Sequence, residues 1–160
     1  MVAIQTAGPD DAAVLASIMV QSFRAAFSTL VSVETLERCA NEKNCTAMLE
    51  QVCKTPDMHA GMASVDGISC GEIFWSGEGE LIALHTLPQV WGKGVGSALL
   101  EWAMTEMKSV GIEKMFLWAF RENWRARRFY EKHGLTASGA ERISAFDGAA
   151  EIQYQKELKP

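Results

Sequence analysis

The chain has 160 residues, of which 48% are hydrophobic and 22% are charged, and its formal net charge is -5. This length and composition are typical of a single folded domain, residues 1–160, with one apolar core. The acidic balance argues against broad nucleic-acid binding. It does not exclude an anionic cofactor, because the local charge around a site governs that interaction.

Cysteine spacing and the first apolar run indicate where the protein resides. The chain has four cysteines, Cys39, Cys45, Cys53 and Cys70. Their spacing is too wide for a zinc site, so we expect no metal. A chain with this large an apolar core needs no disulfide bonds. The run Ala12–Val20 follows Asp10 and Asp11 without preceding basic residues, which is unlike a signal peptide. It is also too short to cross a membrane. We therefore expect free thiols and a cytoplasmic protein without a membrane partner.

Apolar periodicity and turn residues predict a chain of alternating strands and helices. In order, these are a strand at Ile4–Thr6, a helix containing Val14–Phe23, a helix at 34–52, strands at 58–65, 68–75 and 81–87, a helix at 95–110, a strand at 114–120, a helix at 123–133, and strands at 136–143 and 151–158. The Asp66-Gly67 pair between two strand-like runs favours a β-hairpin. The order β-α-α-β-β-β-α-β-α-β-β indicates an α/β or α+β fold, a mixed sheet flanked by helices.

Three alternating glycines, Gly92, Gly94 and Gly96, lie between a strand and an amphipathic helix. Glycine lets the backbone adopt positive φ and approach a ligand closely, and the free amides at a helix start attract anions. Neither the dinucleotide pattern GxGxxG nor the ATP-binding pattern GxxxxGK[ST] fits this stretch. The turn therefore indicates a different diphosphate ligand, unless it only packs a helix onto the sheet.

Two blocks carry a resemblance to a known family. Gln89-x-x-Gly92-x-Gly94 resembles the Q/R-x-x-G-x-G/A signature of the GNAT superfamily of N-acetyltransferases, with Trp91 where many members have Arg or Gln. The stretch from Asn123 to Leu135 resembles the family's N-x-x-A-x-x-F-Y-x-x-x-G-F block, with Leu135 replacing the final Phe. The resemblance implies a mixed, mostly antiparallel central sheet flanked by helices.

The resemblance also implies acetyl-CoA as the co-substrate and names the residues that bind it. Those around the turn are His85, Thr86, Leu87, Trp91, Gly92, Lys93, Gly94, Val95, Gly96 and Ser97, and those of the second block are Asn123, Ala126 and Tyr130. The strand before the turn is expected to splay from its neighbour, which frees backbone groups for the pantetheine arm.

By the same resemblance, a primary amine of a small molecule or peptide attacks the thioester directly in a ternary complex. Tyr130 is the expected acid for the departing thiolate. A backbone N–H near Thr86 or Leu87 is expected to stabilise the oxyanion. Glu80 is the favoured base, and His85, Glu72 and a relayed water remain alternatives. Strand alternation places Glu80 and His85 on opposite faces unless a bulge intervenes.

The acceptor and the partners are less defined. The family frames the acceptor with segments that here are Phe23–Cys53 and Ile143–Tyr154, and aromatic residues are candidates to line its pocket: Phe23, Phe27, Phe74, Trp75 and Phe146. The acidic balance favours a cationic acceptor. A homodimer is possible. The alternative functions are a non-catalytic acyl-CoA sensor of the same fold and a nucleotide-binding domain.

Overall fold

The computed structural model describes residues 1–159 and consists of two β-sheets with helices packed against them. The elements are β1 (Val2–Thr6), α1 (Ala12–Phe27), α2 (Val33–Cys39), α3 (Glu42–Lys54), β2 (Met58–Val65), β3 (Ile68–Ser76), β4 (Leu81–Thr86), α4 (Val95–Ser109), β5 (Lys114–Phe120), α5 (Trp124–Lys132), β6 (Thr136–Ile143) and β7 (Ala150–Glu157). Short 3-10 turns precede α1 and α4. The strands and all helices but one follow the predicted order.

The exception is the region between α1 and β2, where the prediction of one helix over 34–52 is wrong. Two helices form because Ala40 leaves the helical conformation, with φ -87° and ψ 57°. The next residue, Asn41, caps α3 with a side-chain oxygen that accepts a hydrogen bond from Asn44 N at 2.9 Å. Ser32 caps α2 in the same way. Each cap satisfies an amide that would otherwise lack a partner, so two short helices replace one.

The predicted hairpin is confirmed. Asp66 and Gly67 both have positive φ, 51° and 80°, as a tight two-residue turn requires. The turn pairs Val65 with Ile68 and sets the register of β2 against β3.

The strands form a four-stranded sheet, in the order β1-β2-β3-β4, and a three-stranded sheet, in the order β5-β7-β6. All pairs within the sheets are antiparallel. One parallel bridge, between Glu80 and Phe116, connects them. Within residues 1–159, β4 itself pairs only with β3, so its other edge is open from Leu81 to Thr86. This split, mostly antiparallel sheet confirms the predicted fold class.

Two apolar clusters hold the sheets and helices together. The larger lies under α4 and includes Leu99, Met107, Trp75 from the first sheet and Leu117 from the second. It therefore holds the two sheets together along the part of β4 and β5 that no strand pairing connects. The second cluster lies between the first sheet and the helices α1 and α3. The face of β4 toward this second cluster carries Ala83.

Several other predictions concern the cysteines, membrane spans and metal ligands. All four cysteines are free, as expected, and burial raises the thiol pKa of three, Cys45, Cys53 and Cys70. No helix within residues 1–159 is both long enough and apolar enough to cross a bilayer. The same part of the chain contains no cluster of three or more potential metal ligands. The cytoplasmic location and the extent of the domain stay predictions.

Candidate functional site

The glycine-rich turn is open on its outer side. Gly92 and Gly94 have φ values of 75° and 85°, in the left-handed region that favours glycine. A Cβ atom added at either residue would meet no other atom within 4 Å. The local fold therefore leaves free space next to the main chain at both positions.

The amides around this space lack protein partners. In residues 1–159, no carbonyl accepts a hydrogen bond from the N–H groups of Gly92, Gly94 and Val95–Ser97. The first bonded amide of α4 is that of Ala98, which donates to Gly94 O at 3.0 Å. No side chain in the described part of the chain caps this helix. Free donors at the positive end of α4 suit a phosphate group, so the residues present fit the diphosphate of a cofactor.

The predicted cofactor residues of the turn differ in exposure. Lys93 is exposed between the two open glycines, and Ser97 is half-buried in the first turn of α4. Val95 is buried in the core, so only its main chain faces the open space.

The helix α5 lies beside the same turn. A Cβ on Gly96 would lie 3.5 Å from Phe129 Cζ, so the Phe129 ring lies close to the start of α4. Trp91 donates its indole N–H to Thr86 O at 3.0 Å, which ties the turn to the end of β4. The Arg125 guanidinium carbon lies 3.6 Å from the centre of the Trp91 ring. No sequence pattern predicts this last contact.

The open edge of β4 presents backbone groups near the turn. Leu87 N donates to Cys70 O at 2.8 Å, so this amide faces β3. In an antiparallel ladder, alternate residues direct their amides to opposite edges. The amides of Leu84 and Thr86 therefore face away from β3, toward β5, where no strand pairs with them. Of the two predicted oxyanion donors, the Leu87 amide is already bonded and the Thr86 amide remains.

Glu72 and His85 form a buried pair on the neighbouring strands β3 and β4. They are register partners, and Glu72 Oε1 lies 2.9 Å from His85 Nδ1. The Glu72 side chain is 1% exposed, and its second oxygen has no partner in the described part of the chain. Burial raises the pKa of Glu72, and the hydrogen bond from His85 partly opposes this shift. Both residues were predicted as candidate bases, but not as partners.

A bulge in β4 makes this pairing possible. Trp75 pairs with Leu81, but the next pair is Phe74 with Ala83, so Ile82 is an extra residue. A ladder continued regularly from Trp75 and Leu81 would place Glu72 opposite Leu84 instead of His85.

Glu80, the favoured base, lies at the opposite end of β4 from the turn. Its carbonyl accepts from Ser76 N at 2.9 Å, and it forms the bridge to Phe116. At about 3.3 Å per residue, it is roughly 20 Å along the strand from Thr86. The bulge lies between Glu80 and His85, so simple alternation does not relate their faces.

The second sequence block forms the start and middle of α5. Asn123 caps the helix, with its side-chain oxygen accepting from Ala126 N at 3.2 Å. Tyr130 is half-buried, and burial raises the pKa of Tyr130 to about 12. Its ring packs against the larger core, with its centre 6.4 Å from that of Tyr154.

Comparison with known proteins identifies this arrangement. The sequence profile of the acetyltransferase (GNAT) family matches residues 17–135, which include the glycine-rich turn and α5. The chain belongs to this family. An uncharacterized N-acetyltransferase from Archaeoglobus fulgidus is 39% identical over 57 residues. That match covers 36% of this chain and only 39% of the relative's length.

Solved GNAT structures share the fold of this chain. The PaiA N-acetyltransferase of Thermoplasma acidophilum, solved in complex with coenzyme A, has a TM-score of 0.85 at 22% identity, over 98% of this chain and 99% of that one. YncA of Salmonella typhimurium, solved with its cofactor acetyl-CoA, has a TM-score of 0.76 at 17% identity, over 100% and 95% of the two chains. These likenesses establish the fold and, with the profile match, confirm the predicted family.

The segments predicted to frame the GNAT acceptor meet near the end of β5. A group of aromatic rings packs together there, with centres 4.5 to 6.1 Å apart: Phe23, Phe27, Phe120 and Phe146. A cavity of about 210 Å³ adjoins them and is lined by Leu30, Phe120, Arg121, Glu122, Ala149 and Ala150. Phe74 and Trp75, also proposed for the pocket, are instead buried in the two cores.

Asp147 connects the two segments beside this cavity. Its carboxylate accepts hydrogen bonds from Ser32 N and from the hydroxyls of Ser32 and Thr35 at the start of α2. These bonds lower the pKa of Asp147. The loop between β6 and β7 is thereby attached to the first residues of α2.

Proposed function

We propose that this GNAT protein is an enzyme that transfers the acetyl group of acetyl-CoA to a primary amine of a small molecule or peptide. The supporting observation is the junction of two features: free amides at the start of α4, and an open β4 edge that leads to them. Family membership and the coenzyme A or acetyl-CoA in the solved relatives support the same conclusion.

We assign the cofactor to the turn and to the open edge. The amides of Gly92, Gly94 and Val95–Ser97 would hold the diphosphate. The Thr86 N–H, which lies nearest the turn, would hydrogen-bond the pantetheine arm, as a neighbouring strand otherwise would. When bound, acetyl-CoA supplies an activated thioester carbonyl. The Leu84 amide also faces the open edge and lies further from the turn, where the end of the arm would reach, so it is the donor suited to negative charge that develops on the carbonyl oxygen.

We assign the general base to His85. In the tautomer that donates Nδ1–H to Glu72, the other ring nitrogen, Nε2, carries the lone pair that accepts a proton. Glu72 is a positioning residue that holds the ring in this orientation and tautomer. His85 shares its face of β4 with Ala83, and α1 packs against β4. The favoured alternative, Glu80, lies roughly 20 Å from the turn end of the strand.

We assign the general acid to Tyr130. A phenol with a pKa of about 12 remains protonated at neutral pH, so it can donate its proton from Oη to a departing sulfur. The proton removed by His85 and the proton given by Tyr130 balance, since the amine loses one and the thiolate gains one. No metal is needed for either transfer.

The proposal is tested by measuring the release of free CoA thiol from acetyl-CoA against a panel of primary amines, polyamines, aminoglycosides, amino acids and peptides. Turnover with at least one amine is expected. Calorimetry with acetyl-CoA in the same preparation separates the outcomes. Tight binding without turnover on any amine would support the sensor alternative. A thermal melt in which ATP or NAD stabilises the protein more than CoA would favour a nucleotide domain.

The pocket indicates where the acceptor enters and which charge it carries. A primary amine is expected to enter beside the aromatic group near Phe120 and Phe146. The net charge of -5 favours a cationic molecule. A homodimer and a cytoplasmic location stay predictions.

A further inference from the structure

Arg125 is a cation without an anionic partner among residues 1–159. None of the ion pairs in residues 1–159 includes its guanidinium. The group is instead stacked on Trp91, with 3.6 Å from its central carbon to the ring centre. Partial burial against the protein lowers the pKa of Arg125, while the residue as a whole stays exposed to solvent.

Two independent contacts fix the position of this cation next to the glycine-rich turn. Trp91 directly precedes Gly92, and its indole is anchored to Thr86 O. Phe129, four residues after Arg125 on the same face of α5, lies beside Gly96 at the start of α4, where an added Cβ would be 3.5 Å from its ring. The guanidinium is therefore held on the side of α5 that faces the unpaired amides.

We propose that Arg125 binds the diphosphate of coenzyme A, and that Trp91 positions it for this role. The inference rests on the proposed function. The guanidinium presents several N–H donors in one plane, which suits phosphate oxygens. Stacking on the indole leaves the edge of that plane free for hydrogen bonds while it restricts the side chain. The main-chain donors of the turn and this side chain then contact the same ligand group from two elements.

The diphosphate is favoured over the 3′-phosphate of coenzyme A by location. Trp91 is the residue next to Gly92, where the open main chain begins, so the stacked cation adjoins the amides assigned to the diphosphate. Dephospho-CoA lacks only the 3′-phosphate. If Arg125 bound that phosphate, its substitution would raise the Kd of CoA but not the Kd of dephospho-CoA. Comparing the two ligands therefore shows which phosphate group Arg125 binds.

The first experiment measures the Kd of CoA and of dephospho-CoA by calorimetry for wild type and Arg125→Gln. Loss of a charge-assisted contact is expected to raise both Kd values by about tenfold. The matched control is Lys108→Gln, which removes one exposed cation near the far end of α4, about 20 Å from its start, and should leave both values unchanged. An unchanged Kd in Arg125→Gln would overturn the proposal, as would a loss seen with CoA alone.

The second experiment tests the role of Trp91 with a double-mutant cycle. Trp91→Leu should weaken CoA binding in the wild-type background and have little further effect in Arg125→Gln, because its contribution acts through the cation. Equal losses in both backgrounds would contradict the positioning role. Melting curves without ligand for every variant separate loss of binding from loss of folding. Wild-type protein that binds neither ligand would instead overturn the proposed function.

Discussion

Glu72 Oε1 and His85 Nδ1 lie 2.9 Å apart across the strands β3 and β4, and a bulge at Ile82 is what makes these residues register partners. The carboxylate is almost wholly buried and holds one ring nitrogen, which leaves the other available. This relationship supports the proposal that His85 is the base and that Glu72 holds its ring.

The assignment of the base predicts that His85→Gln lowers kcat/KM by roughly 100- to 10,000-fold, because proton transfer from the amine is lost. Glu80→Gln is the control and should retain normal turnover. The reverse result, a large loss in Glu80→Gln and little change in His85→Gln, would restore the assignment that was favoured on sequence grounds.

The burial of Glu72 predicts a pH-dependent effect on stability. Its folded pKa is raised above the ordinary value of 4.5, so the stability associated with the neutral carboxyl is fully present below that pH. It is lost as pH rises through the folded pKa. Glu72→Gln stays neutral, so its Tm relative to wild type should increase as pH rises above 4.5.

Thermal melts at several pH values measure this difference. The exposed Glu78→Gln is the control, and its Tm should follow that of wild type across the series. A Glu72→Gln advantage that shrinks with rising pH would contradict the sign of the shift.

The two tyrosines of the chain provide a matched pair for the acid. Tyr130→Phe should lower kcat by roughly 10- to 1000-fold with acetyl-CoA affinity nearly unchanged, the pattern of a lost general acid. Tyr154 accepts from Arg127 Nε at 3.1 Å and donates to Glu131 Oε1 at 2.6 Å. Tyr154→Phe should therefore lower Tm and spare kcat. Normal turnover by Tyr130→Phe would remove it from the mechanism.

Two glycines at opposite ends of α4 test the phosphate site. Gly94 and Gly111 have nearly equal φ, 85° and 86°, and a Cβ on either meets no atom within 4 Å. An aspartate at each position thus carries the same backbone strain and the same charge. Gly94→Asp should abolish CoA binding in calorimetry, because the carboxylate repels the diphosphate, whereas Gly111→Asp should bind normally. Equal affinities would contradict the site.

Local chemistry explains why most elements could be predicted. The Asp66-Gly67 turn specifies its hairpin through residues that tolerate positive φ. The division of the helix at Ala40 was missed because periodicity continued across it, although Asn41 is a typical N-cap residue. A cap depends on one residue and one or two amides, so an apolar pattern that spans many residues does not reveal it.

The site was predictable where it depends on consecutive residues and unpredictable where it depends on distant ones. The glycine-rich turn could be read directly, because its open amides follow from glycine positions next to a helix start. The pairing of Glu72 with His85 depends on one extra residue in β4, which apolar alternation does not reveal. The stacking of Arg125 on Trp91 depends on how α5 packs beside α4, and no local pattern encodes it.

The interruption between β4 and β5 has a consequence for solubility as well as for binding. Unpaired strand edges commonly recruit strands from other chains and so promote aggregation. Here the open edge of β4 lies at the junction between the two sheets rather than at an outer rim, and the core under α4 spans that junction. A strand from a second protein therefore has little access to the main-chain donors and acceptors of this edge.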